Sequence, residues 1–210
     1  LDSIANLNKP KPDTVAIKKD SAQTEIAKIK NAAGNFGNDS AIEKIRVVEN
    51  EVMKISSSTK GGQPRGVELK HYKTQDSSLV KLASTEFDKF SYAINTGDQK
   101  IAHIENLVFD TIIVTPHADR TQTITIPLQS RDTSGAAGPS IIHQFILKPD
   151  DYMIDFNVTV NGADKLLTQS VMNITWQSKA LQLEKDLDYE QQQSQIGYVL
   201  DGEYDYHTIG

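Results

Sequence analysis

From residue 43 onward, apolar and polar residues alternate in short runs with a period of two, the pattern of half-buried β-strands. In Lys44–Val48, Ile45 and Val47 share a face; after a Glu49-Asn50 turn, Val52, Met53 and Ile55 resume the pattern. Arg65–Tyr72 sets Val67, Leu69 and His71 against Glu68, Lys70 and Tyr72, and Lys89–Asn95 puts Phe90, Tyr92 and Ile94 on one side. Further strands are predicted over Thr111–Thr115, Gln122–Leu128, Ser140–Leu147, Tyr152–Val160 and Ser170–Gln177, all rich in β-branched and aromatic residues. In the fourth of these, Ile154, Phe156, Val158 and Val160 share a face. Breakers fall between the runs at Gly61–Pro64, Asn95–Asp98, Asp132–Pro139, Lys148–Asp151 and Asn161-Gly162, the last a short-hairpin signal. Many strands at close spacing, joined by such turns, predict packed antiparallel sheets.

Two stretches follow a helical period instead. Ala22, Ile26, Ile29 and Ala33 recur at spacings of four, three and four, with Asp20 or Ser21 as a cap and Gly34 as a stop. The apolar face is thin, so a flexible linker is the alternative reading. Lys9–Pro12 before it reads as stiff and extended, and Asn35–Ser40 after it as turn chemistry. From Ser178 to Gln193 there is no glycine, proline or β-branched residue, and Ala180, Leu183 and Leu187 align, which predicts an amphipathic helix of about four turns. Extended structure returns in Ile196–Leu200, turns at Asp201-Gly202 and resumes with Tyr204 and Tyr206. The chain therefore divides into residues 1–42, a linker with a short helix, and residues 43–210, a β domain.

Composition narrows the functional classes. Of the 210 residues, 38% are hydrophobic and 24% charged, enough for one domain with a substantial core. A net charge of −6 argues against nucleic acid held by phosphate neutralisation, and equally against an anionic membrane surface. Cysteine is absent, which removes thiol catalysis, disulfides and Cys-based zinc sites. No run approaches the ~20 apolar residues of a membrane span. The first residue is Leu1, so a piece cut from a longer chain is expected.

Candidate chemistry is sparse. The five histidines, His71, His103, His117, His143 and His207, lie far apart, and none is paired at metal-site spacing. His71 and His143 fall inside strands, where a structural role is expected. Gly61-Gly62 is followed by Pro64 and a strand, so no helix N-terminus is there to hold a phosphate, and a hairpin connection is predicted. Asp150-Asp151 lacks the spaced third carboxylate that calcium needs. Asp201, Glu203 and Asp205 alternate with Gly202, Tyr204 and Tyr206, which reads either as a solvated strand or as a contact surface rimmed by tyrosine. Trp176, the only tryptophan, lies mid-strand beside Ile174, which predicts a core neighbour and no sugar platform. No catalytic, cofactor-binding or metal-binding residue is assigned.

Three stretches resemble one family. Val48-Glu-Asn-Glu-Val-Met-Lys-Ile through Gly61-Gly-Gln-Pro to Leu69-Lys-His-Tyr72 is similar to the opening of the large periplasmic domain of YidC/Oxa-type membrane protein insertases. Lys148-Pro-Asp-Asp-Tyr-Met-Ile-Asp-Phe-Asn-Val158 resembles that domain's central strand. The close is similar too: Trp176, an acidic helix through Leu187 and Glu190, then Tyr198 and Asp201-Gly-Glu-Tyr-Asp-Tyr206. The likeness runs from about residue 44 to the end.

The resemblance implies a mainly β fold, a β-super-sandwich of two antiparallel sheets with a C-terminal amphipathic helix. It implies a bacterial inner-membrane protein whose domain here faces the periplasm between the first two membrane spans, with further spans after Gly210. The family inserts and helps fold inner-membrane proteins, alone or with the Sec translocon. This domain would contribute contacts to SecDF and SecYEG components, with no cofactor, no nucleic acid and no catalysis of its own. The exposed sides of Arg65–Tyr72 and the helix Ala180–Gln193 are the first places expected to meet a partner. Two other readings are a secreted carbohydrate-binding or mutarotase-like sandwich, and a surface adhesin or lipoprotein domain.

Overall fold

The computed structural model describes residues 14–37, 42–131 and 138–208. The Lys9–Pro12 stretch, residues 38–40 of the expected turn and residues 132–137 of the expected loop lie outside the described residues. Helix α1 (Thr14–Ala32) comes first and begins well before the expected cap at Asp20 or Ser21. It closes where predicted: the Ala33 amide donates to the carbonyls of Ile29 and Lys30, and Gly34 follows with φ +47°. Ala33 and Phe36 are buried in the core of the strands that follow.

Those strands form two four-stranded antiparallel sheets and three two-stranded ones. The first sheet joins β1 (Ile45–Glu49), β2 (Met53–Ser58), β3 (Gln63–Lys73) and β4 (Leu79–Leu82) in chain order. Next come β5 (Lys89–Ser91), β6 (Ala93–Gly97) and β7 (Lys100–His103), with β6 paired to β7. The second large sheet is β8 (Ile113–Pro116), β9 (Gln122–Gln129), β10 (Ser140–Leu147) and β11 (Ile154–Asn161), ordered β11-β10-β9-β8. Pro127 stands beyond Thr125, where the pairing of β9 with β8 stops, so this strand tolerates a residue without an N–H.

The period of two does what it predicts. Ile55 in β2, Ile124, Ile126 and Leu128 in β9, and Ile141, Phe145 and Leu147 in β10 point inward and are almost fully buried. Each such apolar side chain stabilises the fold by about 2 kcal/mol relative to exposure. Both large sheets supply one continuous core, joined by Tyr92, Ile94, Ile104, Leu107 and Phe109 from the chain between them. Ile45 and Val47 share a face as expected, and it is the solvent side; Val48 is the buried residue of β1.

Asn50 fixes the β1–β2 turn against the second sheet. Its Oδ1 accepts from the amides of Val52 and Met53 at 3.0 and 2.8 Å. Its Nδ2 donates to the carbonyls of Lys148 and Asp151, both at 2.8 Å. Substitution Asn50→Ala leaves these buried groups unpaired, so we expect a loss of about 2 kcal/mol in urea unfolding. Asn50→Asp restores only the acceptor and should rescue little of it.

Four expectations need correction. The Lys89–Asn95 run is not one strand: β5 and β6 belong to different sheets, with Tyr92 between them turned into the core. The Asn161-Gly162 pair does not make a hairpin. Gly162 adopts φ +75° and leads into the short helix α2 (Ala163–Leu166), which buries Leu166. Of Ser170–Gln177 only β12 (Thr175–Gln177) is strand, because Gln169 and Ser170 take positive φ and break the run; β12 pairs with β5.

The helix over Ser178–Gln193 shrinks to α3 (Leu187–Gln193). Asp186 is its cap, its carboxylate accepting from the Tyr189 amide at 3.0 Å. The Glu190 carboxylate accepts from the amides of Leu183 and Glu184, holding the preceding segment extended. That segment is tied to the body where the Leu183 carbonyl accepts from Gln75 and the Lys179 amide donates to Asp88. Capping chemistry placed inside an otherwise helix-forming run sets the boundary. The chain closes in a hairpin of β13 (Gln195–Leu200) and β14 (Glu203–Thr208) around Asp201-Gly202. The architecture is thus mainly β, with several antiparallel sheets and a short helix near the C-terminus.

Candidate functional site

The histidines separate into one buried and four apart from it. His143 is fully buried on β10. Its Nδ1 lies 2.8 Å from the Gly62 carbonyl, which can only accept, so Nδ1 carries the proton. Nε2 is then the acceptor for the Tyr92 hydroxyl at 2.7 Å. The rings of Phe90, Tyr92, Phe109 and Phe156 enclose the imidazole, and this desolvation pushes its pKa down to about 4, against a smaller upward pull from the Gly62 hydrogen bond. Burial likewise raises the Tyr92 phenol. Every polar atom of the imidazole is used, so His143 ties the Gly61-Gly62 connection to the second sheet. Among the described residues no three His, Asp or Glu side chains converge as a metal cluster.

The acidic groups singled out in the sequence are spread over the surface. Asp150 lies 3.6 Å from Arg120, and Asp151 accepts from the Met153 amide, so the pair serves a turn. In the terminal hairpin, Glu203 and Asp205 face one side with His207, while Tyr204 and Tyr206 face the other with Val199. The Tyr198 hydroxyl donates to Asp205 at 2.8 Å, which lowers the carboxyl pKa and raises the phenol's. All twelve strand residues of this hairpin are exposed, on both faces. The alternation of carboxylates and tyrosines read from the sequence is therefore a real two-sided surface. Of the other expected contact sites, Arg65–Tyr72 is exposed only at His71 and Tyr72, whereas α3 is exposed at every residue but Glu190, Leu187 and Tyr189 included.

A second surface was not foreseen. Phe90 of β5, Phe156 of β11, Trp176 of β12, and Tyr152, Met153 and Ile174 line an open apolar groove of about 620 Å³. Trp176 is 84% exposed and Ile174 56%, so the expected core neighbour of the tryptophan is corrected: the β12 segment lies on the outside. Phe156 stacks on Phe145 and packs edge-on to Phe90, which ties the groove floor to the core. The charges beside it are already engaged. The Asp88 carboxylate accepts from the amide and hydroxyl of Thr85 and from the Lys179 amide, and Lys89 lies 3.7 Å from Glu105. Asp88 is pushed upward by partial burial, yet these hydrogen bonds outweigh it and lower its pKa. One sequence signal marks the groove: Tyr152-Met153-Ile154 is apolar at three successive positions, which breaks the alternation and leaves an apolar residue on each face.

Comparison with known proteins agrees with this architecture. Residues 46–209 match the family model described as the YidC periplasmic domain. Relatives include the membrane protein insertase YidC of Phocaeicola vulgatus, 27% identical over 78% of this chain and 25% of that protein. Those of Azobacteroides pseudotrichonymphae and Parabacteroides distasonis are 26% and 22% identical, over 79% and 94% of this chain and 26% and 28% of theirs. The chain thus spans about a quarter of the length of these curated relatives. No solved structure matches it. With a mainly β architecture of antiparallel sheets and a match over most of its residues, this chain belongs to the YidC periplasmic domain family.

Proposed function

We propose that residues 43–210 act as the periplasmic interaction and scaffolding domain of a YidC-type insertase in the bacterial inner membrane. Residues 1–42 serve as its linker, the end of which docks on the β domain through Ala33 and Phe36. The whole protein inserts inner-membrane proteins and helps them fold, alone or with the Sec translocon. This domain contributes contacts to SecDF and SecYEG components and carries out no reaction of its own. The observation that supports this most is the β13–β14 hairpin, which presents Val199, Tyr204 and Tyr206 together on a solvent-facing side. Exposed tyrosines on a short rigid element are what recognition surfaces use, because they bring contact area at little entropic cost.

The test is co-purification of SecDF with the full-length protein. Replacing Tyr204 and Tyr206 together by alanine should weaken association roughly 30-fold, the equivalent of about 2 kcal/mol. Neither side chain is buried, so the domain's unfolding midpoint should stay unchanged. Association equal to that of the unaltered protein would remove the hairpin from the interface.

A further inference from the structure

We infer that the free edge of β11 and the groove beside it are filled within the whole polypeptide, by a strand-forming apolar segment outside these 210 residues. Strand β11 is the outer strand of the second large sheet, with no neighbour on its far side among the described residues. Its pairing with β10 runs unbroken over eight residues, without proline, glycine or bulge. Its one charged residue, Asp155, is paired with Lys148 at 2.8 Å. The other edges of the large sheets are blunted. Strands β4 and β8 have four residues each, β8 ends at Pro116, and β1 carries Arg46 and Glu49. A long, regular, nearly uncharged edge is what isolated domains avoid, since it invites another strand.

The surface beside that edge is suited to the side chains of such a strand. A segment hydrogen-bonded to β11 would place alternate residues over Phe156, Met153, Ile174 and Trp176, which are 37%, 70%, 56% and 84% exposed. The two charged residues that line the groove among the described residues, Asp88 and Lys89, are already engaged, so the seat favours an apolar strand over a charged one. The source follows from length. The matched relatives are about four times as long as the stretch they share with this chain. A tethered segment meets the edge at high effective concentration, which favours it over a second copy or a free peptide.

Hydrogen–deuterium exchange of residues 154–161, with solvent labelling of Trp176, tests this in the 210-residue chain and in the detergent-solubilised full-length protein without Sec components or clients. In the full-length protein the β11 amides should exchange roughly 100-fold more slowly, and Trp176 should be shielded. Equal exchange in the two proteins would overturn the inference. So would protection of the short chain that grows with its concentration, which marks a second copy as occupant. Protection that appears only when an extended client peptide is added would reassign the groove to substrate. None of these outcomes depends on the tyrosine face of the terminal hairpin.

Discussion

Substitution His143→Phe should lower the unfolding free energy of the 210-residue chain by about 3 kcal/mol in urea titration at neutral pH. Phenyl is the larger ring, which adds some crowding, but most of the loss comes from the Tyr92 hydroxyl and the Gly62 carbonyl, both stranded in the core. The double variant Tyr92→Phe/His143→Phe removes one of the two stranded groups and should therefore cost less than the sum of the single changes. Acid has a related effect in the unaltered protein. The folded His143 pKa is about 4, below the ordinary 6.5, so the unfolded chain binds the extra proton first. This contribution is complete above pH 6.5 and falls away as the pH drops through 4, amounting to about 3 kcal/mol over that window. A plot of stability against pH between 6.5 and 4 should be flatter in His143→Phe. An unchanged slope would show that another group carries the acid response.

The second large effect is expected at Gly62→Ala. Gly62 adopts φ +58°, and an added Cβ would meet the Phe109 ring at 2.7 Å. Left-handed backbone costs an L-residue about 1–2 kcal/mol, and forcing apart a packed ring costs about 1–3 more. A loss of about 3 kcal/mol follows, with disturbance of the carbonyl that receives the His143 proton. Gly202→Ala is the control: φ is +85°, but nothing lies within 4 Å of the added atom. It should show the backbone penalty alone, so equal losses at both sites would mean the Phe109 contact is not what makes Gly62 necessary.

What could be read from the sequence follows from which interactions are local. The strands with strict alternation, such as Gln122–Gln129 and Ser140–Leu147, are seen as predicted because a period of two reports a single buried face. The Gly61-Gly62 connection and the stop at Gly34 were legible for the same local reason. The shortened α3 was not, although its signal was present: Asp186 is a cap inside a run of helix formers, and propensity outvoted it. The split at Tyr92 was beyond reach, and so was the groove apart from the Tyr152–Ile154 triplet that marks one wall of it. Both depend on which distant strands meet, as β5 does β12, and no spacing along the chain encodes that pairing. Trp176 shows the difference best. The sequence predicts a core neighbour beside this tryptophan, whereas Ile174 and Trp176 both lie exposed along the groove.

The order of strands in the two large sheets has a kinetic meaning. In each sheet every strand pairs only with those next to it in the chain, so a sheet can zip up hairpin by hairpin as the polypeptide appears from its N-terminal end. The distant strand pairing of β5 with β12 waits until residues beyond the second sheet have emerged. Maturation is thereby staged: two meanders assemble early from nearby pieces, and late contacts, this pairing together with the Gln75–Leu183 and Asp88–Lys179 hydrogen bonds, join the first half of the molecule to its tail.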